Sequence, residues 1–261
     1  KLTKLGILNL MHPFQTFILG QKNYPIKIAL KMNIPLVFYG ENEAEHGNPI
    51  ADNNSSLRHK SYYTFKNFNN IYLGGVQIKK LQQDYKIKFS YLKDFMPSEI
   101  GEIEQKKLEV HYLGYYLKWT PQETYYYAVK NCGFLPRPFR TQGTYQKYNS
   151  IDDKIDDLHY YTTGIKFGRG RATEDASQEI RSGEINRTEA IQLVKRFDLE
   201  YPDRFKEELF SYLSIPEDVF PIASKLFERP LMNKEYFDLL TDQYRSPHLW
   251  RWKDGEWKLR K

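Results

Sequence analysis

Two clusters in this 261-residue chain have residue types and spacing suited to chemistry. The first is Gly168-Arg169-Gly170-Arg171, with Lys166 just ahead of it. Glycine lets the main chain approach a ligand closely. Arginine presents a planar fork that matches phosphate or carboxylate. Three cations on such a backbone form an anion site, or else a solvated basic turn between two helices. The second cluster, Gly40-Glu41-Asn42-Glu43 with His46 close behind, follows an apolar run directly. Carboxylates at the carboxyl end of a strand hold Mg²⁺ together with nucleotide phosphates, or form a solvated acidic loop.

A third group, Asp152, Asp153, Asp156, Asp157 and His159, opens a helical pattern. Acids in a first turn favour the helix macrodipole, which accounts for the first two. Asp156 and His159 lie one turn apart and face a ligand together in this reading, with Asp175 as a further polar contact. The six histidines lack metal-ligand spacing. Cys132, the single cysteine, reads as packing at a helix end rather than as a nucleophile.

The elements that must position these groups follow from periodicity. Pro25 starts a helix at its first position, with Asn33 as its stop. Pro35 to Gly40 reads as a strand buried on both faces of a parallel sheet, in which ligands collect beyond strand carboxyl ends. Val110 to Trp119 reads as a second strand. Thr120-Pro121-Gln122-Glu123 reads as a capping box opening a helix that Gly133 ends. Ile151, Ile155 and Leu158 give a helical stripe. Thr173 caps a helix stopped by Gly183, and Asn186 with Glu189 starts the next. Further helices are expected at 202–213, 216–228 and 234–241, and Asp254-Gly255 marks a terminal hairpin. The expected organisation is residues 1–48 as part of a nucleotide-binding α/β unit, 49–109 as a loop-rich insert, 110–149 as a strand–helix unit completing the sheet, and 150–261 as a helical region.

Bulk properties bound the function. No apolar run has membrane-spanning length, the N-terminus lacks a convincing signal-peptide pattern, and a lone cysteine excludes an internal disulfide or a cysteine-based zinc site. These point to a cytoplasmic protein. A net charge of +6 admits anionic partners. The basic residues are scattered among acids, which argues against nucleic acid.

The segments IPLVFYGENEAEHG, HYLGYYLKWTPQETYYYAVKNCGF, GTYQKYNSIDDKIDDLHYYTTGIKFGRGRATEDASQEIRSGEI and RSPHLWRWKDGEWKLR together resemble the N-acetyl sugar amidotransferases of bacterial surface-polysaccharide and pseudaminic acid pathways. The resemblance implies an α/β PP-loop ATP pyrophosphatase fold with a mainly helical C-terminal region. It also implies conversion of a sugar acetamido group to acetamidino with ATP, Mg²⁺ and glutamine-derived ammonia. Implied partners are a HisH-type glutaminase and a HisF-type ammonia-delivery protein. On this view Glu41 and Glu43 hold Mg²⁺ or orient the activated amide, while Lys166, Arg169 and Arg171 neutralise anionic charge. Gly40, Asn42, His46, Asp156, His159, Gly168, Gly170 and Asp175 would line the substrate. The Ser-Gly-Gly-x-Asp-Ser pyrophosphate loop of that family is not among these residues and is expected upstream. A PP-loop tRNA-modifying enzyme and a non-catalytic binder of anionic glycans stand as the alternatives.

Overall fold

The computed structural model describes residues 1–40, 54–213 and 234–260. It is mixed α/β, with three two-stranded sheets among the described residues. The chain divides into two units, one built from residues 14–119 and one mainly from residues 3–13 and 120–261. The extended parallel sheet that a PP-loop fold implies is not present among the described residues.

In chain order, α1 (Leu2–Leu10) is followed by α2 (Gln15–Met32). The expectation that Pro25 begins a helix is corrected: α2 runs through it. Proline lacks an N–H, so the carbonyl four residues back loses its helical donor. Here Tyr39 donates its hydroxyl to that carbonyl, Gln21 O, at 2.9 Å. A side chain from the next element therefore supplies what the proline removes. Asn33 ends the helix in a left-handed conformation, as expected.

Strand β1 (Leu36–Tyr39) follows. After the antiparallel pair β2 (Tyr72–Leu73) and β3 (Val76–Gln77) come the short helices α3 (Ile78–Gln83), α4 (Phe89–Leu92) and α5 (Ile100–Gln105). Strand β4 (Glu109–Tyr112) then pairs parallel with β1, Leu36 opposite Glu109 and Tyr39 opposite Tyr112. The parallel pairing agrees with the sequence reading, but burial on both faces does not. Val37 and Tyr39 pack on the cluster of Ile26, Ala29, Leu30, Tyr63 and Val110. Leu36 and Phe38 alternate outward, 42% and 50% exposed. Successive strand side chains point to opposite faces, and α2 covers one face only. The Val110–Trp119 strand is likewise shorter than expected, because α6 (Leu113–Tyr116) curls away after Tyr112.

The other unit begins its main run with α7 (Pro121–Cys132), closed by Gly133 in the left-handed region. Thr120 makes no side-chain cap there, so the capping box is absent although the helix is not. Then come α8 (Ile155–Phe167), α9 (Arg171–Ser182), α10 (Arg187–Phe197), α11 (Lys206–Tyr212) and α12 (Lys234–Gln243). The Asn186–Glu189 capping box forms as expected. The acids in the first turn of α8 are Asp156 and Asp157 rather than Asp152 and Asp153. Asp153 instead accepts from the Ile155 N–H at 2.8 Å, which holds the chain non-helical ahead of the helix. Ile151 consequently lies outside the helical stripe and is exposed. The expected helix at 216–228 lies outside the described residues. The terminal hairpin of β5 (Trp250–Lys253) and β6 (Glu256–Leu259) turns at Asp254 and Gly255, both at positive φ. Trp250 is buried and donates its indole N–H to Ile165 O at 2.7 Å, which fixes the hairpin to α8. No helix among the described residues is long and apolar enough to cross a membrane.

Candidate functional site

The Gly-Arg-Gly-Arg bend connects α8 to α9, and its own backbone is already engaged. Gly168 closes α8 at φ 71°. Asp198, at the end of α10, accepts from the Gly170 N–H at 2.9 Å, the Thr173 N–H at 3.1 Å and the Thr173 hydroxyl at 2.5 Å. A Cβ on Gly170 would stand 2.7 Å from an Asp198 oxygen, so the carboxylate fits only against glycine. This corrects two expectations. Thr173 is not the cap of α9, which begins at Arg171 with Gly170 as its N-cap residue. The donors that would cradle an external phosphate at the helix start are held by the protein's own carboxylate. Replacing Asp198 by alanine should cost about 1–2 kcal/mol, the cost of losing a helix cap, read as a lower urea midpoint with unchanged slope.

The three cations of the bend go to different partners. Lys166 donates to Leu10 O at 2.8 Å, and burial lowers its pKa. Arg169 is exposed and pairs with Glu174 at 2.5 Å. Arg171 turns inward: its Nε donates to Asp175 Oδ1 at 2.7 Å, and its guanidinium lies 5.2 Å over the Tyr160 ring. Burial works against this cation, but Asp175, Tyr160 and Glu174 outweigh it and hold its pKa above the ordinary value. Only Nε is used by Asp175. The two terminal amino groups of Arg171 make no hydrogen bond among the described residues, and the side chain is 27% exposed. An oriented, charged fork with open ends is suited to a carboxylate or phosphate.

Around Arg171 the structure gathers groups that the sequence reading had in part. Asp175, 1% exposed, also accepts from the Thr144 hydroxyl at 2.5 Å and from Asn149 at 3.5 Å. One turn further along α9, Glu179 accepts from Tyr145 at 2.9 Å and from Gln146 at 2.8 Å. Ser150 and Tyr160 share a hydrogen bond through their hydroxyls. Burial raises the Asp156 carboxyl to about 6, against the Ser150 hydroxyl and Arg171, which favour its charge. His159 stacks on His12 with ring centroids 4.8 Å apart and planes 12° from parallel. Burial, then His12, then Arg171 lower His159 to about 3, while burial and Lys166 lower His12 to about 4. Both imidazoles are therefore neutral at pH 7.

Of the residues singled out from sequence, Arg171, Asp175, Asp156 and His159 belong to one electrostatic cluster. Arg169 stands apart on the surface, and Lys166 reaches the cluster only through its field on His12. Gly40 is exposed at the end of β1, in the other unit. Glu41, Asn42, Glu43 and His46 lie outside the described residues. Among the described residues no group of His, Cys, Asp or Glu is arranged to hold a metal ion. Sequence reasoning missed Thr144, Gln146, Asn149, Ser150, Glu179 and His12. The polar run from Thr144 to Ser150 ahead of α8 was the available signal for four of these.

The buried, ion-paired cluster around Arg171 is built on two consecutive helices, α8 and α9. Residues 142–261 match the family model described as LPS biosynthesis protein WbpG-like, C-terminal domain. That span contains every cluster residue except His12. The match supports a biosynthetic enzyme with a role in lipopolysaccharide or related glycan biosynthesis. No curated protein matches the chain.

Proposed function

We propose that the chain provides the carbohydrate side of an ATP-dependent N-acetyl sugar amidotransferase. Its substrate would be an acidic sugar, a nonulosonic or aminouronic acid. The observation that carries this reading is Arg171, fixed through Nε and the Tyr160 ring with both terminal amino groups open. The substrate carboxylate takes the open fork. Asp175 keeps the guanidinium charged and oriented, so binding requires no reorganisation of the cation.

In the proposed reaction the acetamido oxygen attacks the α-phosphorus of ATP and releases pyrophosphate. Ammonia then adds to the imidate carbon, AMP departs with the oxygen, and one proton is lost, leaving the acetamidino group. Asp156, with its pKa near 6, is the proposed acceptor of that proton, because a base that titrates near the working pH transfers protons efficiently. Glu41 and Glu43 are the carboxylates proposed for Mg²⁺, which would neutralise phosphate charge. Asn42, His46 and Gly40 remain proposed lining residues, whereas Gly168 and Gly170 serve the bend itself, packed against Leu249, Leu259 and Asp198. A cytoplasmic location and HisH- and HisF-type ammonia partners belong to the same proposal. The match to a lipopolysaccharide-biosynthesis domain supports the glycan part of the reading.

The test is ATP- and ammonia-dependent formation of AMP and amidine from an N-acetylated sugar acid, followed by mass spectrometry. Arg171→Lys keeps the charge but loses the fork, and is expected to lower kcat/KM about 100-fold, as for loss of a directed donor. Arg169→Lys, at the exposed pair, is expected to have little effect. Equal rates for wild type and Arg171→Lys would remove Arg171 from the site. Tight sugar binding without AMP formation would favour the non-catalytic reading.

A further inference from the structure

Helix α7 engages the rest of its unit through one face. Gln122, Tyr125 and Ala128 turn inward and are half-buried. Tyr125 stacks on Tyr148 with ring centroids 4.7 Å apart, and the Tyr148 hydroxyl donates to Gln122 Oε1 at 3.2 Å. The opposite face carries Glu123, Tyr126, Tyr127 and Lys130, all exposed. Residues three, four and seven apart share one side of a helix, so these four form a stripe. Tyr126 and Tyr127 are 60% and 66% exposed. Gln122 donates to the Tyr126 hydroxyl at 2.6 Å, which holds that ring in place.

The order of charges along the stripe points to its occupant. Glu123 lies in the first turn and Lys130 in the last, with the two tyrosines midway. Neither charge has an ion-pair partner among the described residues. The helix dipole favours an acid at the start and a base at the end, which accounts for the signs but not for the exposed aromatic rings between them. When two such helices meet antiparallel about a twofold axis, Glu123 of each faces Lys130 of the other. Each Tyr126 then faces a Tyr127 across the axis. Both charge pairs are attractive, and the aromatic rings of both copies gather at the centre, where tyrosine is favoured in interfaces. A parallel meeting would oppose like charges at both ends.

We propose that this face of α7 binds a second copy of the chain, antiparallel, about a twofold axis between Tyr126 and Tyr127. The contact is isologous, so it closes at a dimer. The 12 residues of α7 extend about 18 Å at the helical rise, so the contact is small and the dimer belongs to the weak, reversible class. No residue of the Arg171 cluster takes part, so the dimer and the amidotransferase reading stand or fall separately.

Sedimentation equilibrium of the full chain over a concentration series measures the association, in reducing buffer so that the exposed Cys132 does not cross-link. The expected result is a monomer–dimer equilibrium that weakens as salt is added. Glu123→Lys and Lys130→Glu each place like charges at both ends of the contact, and each is expected to weaken dimerisation at least about tenfold. Mixed in equal amounts, the two variants present two lysines on one helix and two glutamates on the other, and the dimer should return as a heterodimer. Tyr127→Ser should weaken association by a comparable factor, as for loss of a central aromatic contact. All three replaced residues are exposed, and circular dichroism checks that each variant is folded. A wild type that stays monomeric at millimolar concentration overturns the proposal. So does a dimer indifferent to both charge reversals, or a mixture that stays as dissociated as its two components.

Discussion

Arg171→Ala is expected to destabilise the unit that contains it by about 3 kcal/mol, the lower end of the range for breaking a buried pair. The loss comes mainly from Asp175, which is 1% exposed and would be left without its cation. The Thr144 hydroxyl still donates to it at 2.5 Å, which holds the cost to that lower end. Asp175→Asn added to Arg171→Ala should recover part of the loss, because the amide oxygen can accept from Thr144 without a buried charge. A coupling of about 1–2 kcal/mol is expected between contacting residues of this kind. Urea unfolding of the two single variants and the double variant measures it. A double variant no more stable than Arg171→Ala would mean that the ion pair is not what Arg171 contributes to the fold. The experiment also bears on function, since the Asp175 bond orients the fork proposed to hold the substrate.

The second large effect is the pH dependence carried by the stacked histidines. In the fold His159 titrates near 3 and His12 near 4, whereas an unfolded histidine titrates near 6.5. Between those values the unfolded chain binds more protons, so stability is fully present above pH 6.5 and falls as pH falls. Asp156 has the opposite sign: raised to about 6 from 3.8, it makes the fold bind a proton first and offsets part of the acid loss below pH 6. Lys166 faces His12 and Arg171 faces His159, and both cations oppose protonation of the rings. His159→Phe keeps a ring in the stack and removes its titration. From pH 6.5 to pH 4 the wild type should lose on the order of 3 kcal/mol more than this variant, counting the buried His159 alone. Asp156→Asn should steepen the acid loss relative to wild type. Stability curves at several pH values decide it, and identical pH slopes for wild type and His159→Phe would sink the assignment.

Much of the local structure was legible from sequence because it depends on residues close together in the chain. The Asn186–Glu189 capping box, the Gly133 and Gly183 stops and the Asp254-Gly255 hairpin turn all form as their short-range chemistry requires. Where expectation failed, a distant group had taken over a local role. Tyr39 compensates the carbonyl that Pro25 would orphan, and α2 continues. Asp198 occupies the donors at the start of α9 and displaces Thr173 as cap.

The candidate site divides along the same line. Composition and spacing by themselves determined that the α8–α9 bend is cationic, that Asp156 and His159 share a helix face, and that a helical region follows. Only the tertiary structure decided that Lys166, Arg169 and Arg171 part toward Leu10, Glu174 and Asp175 instead of converging on one pocket. It also brought His12 from the N-terminus onto His159, and Thr144 and Asn149 onto Asp175. The reason is physical. Charge and periodicity are properties of a segment, whereas the partner that satisfies a buried charge is chosen by whichever remote group the packing delivers.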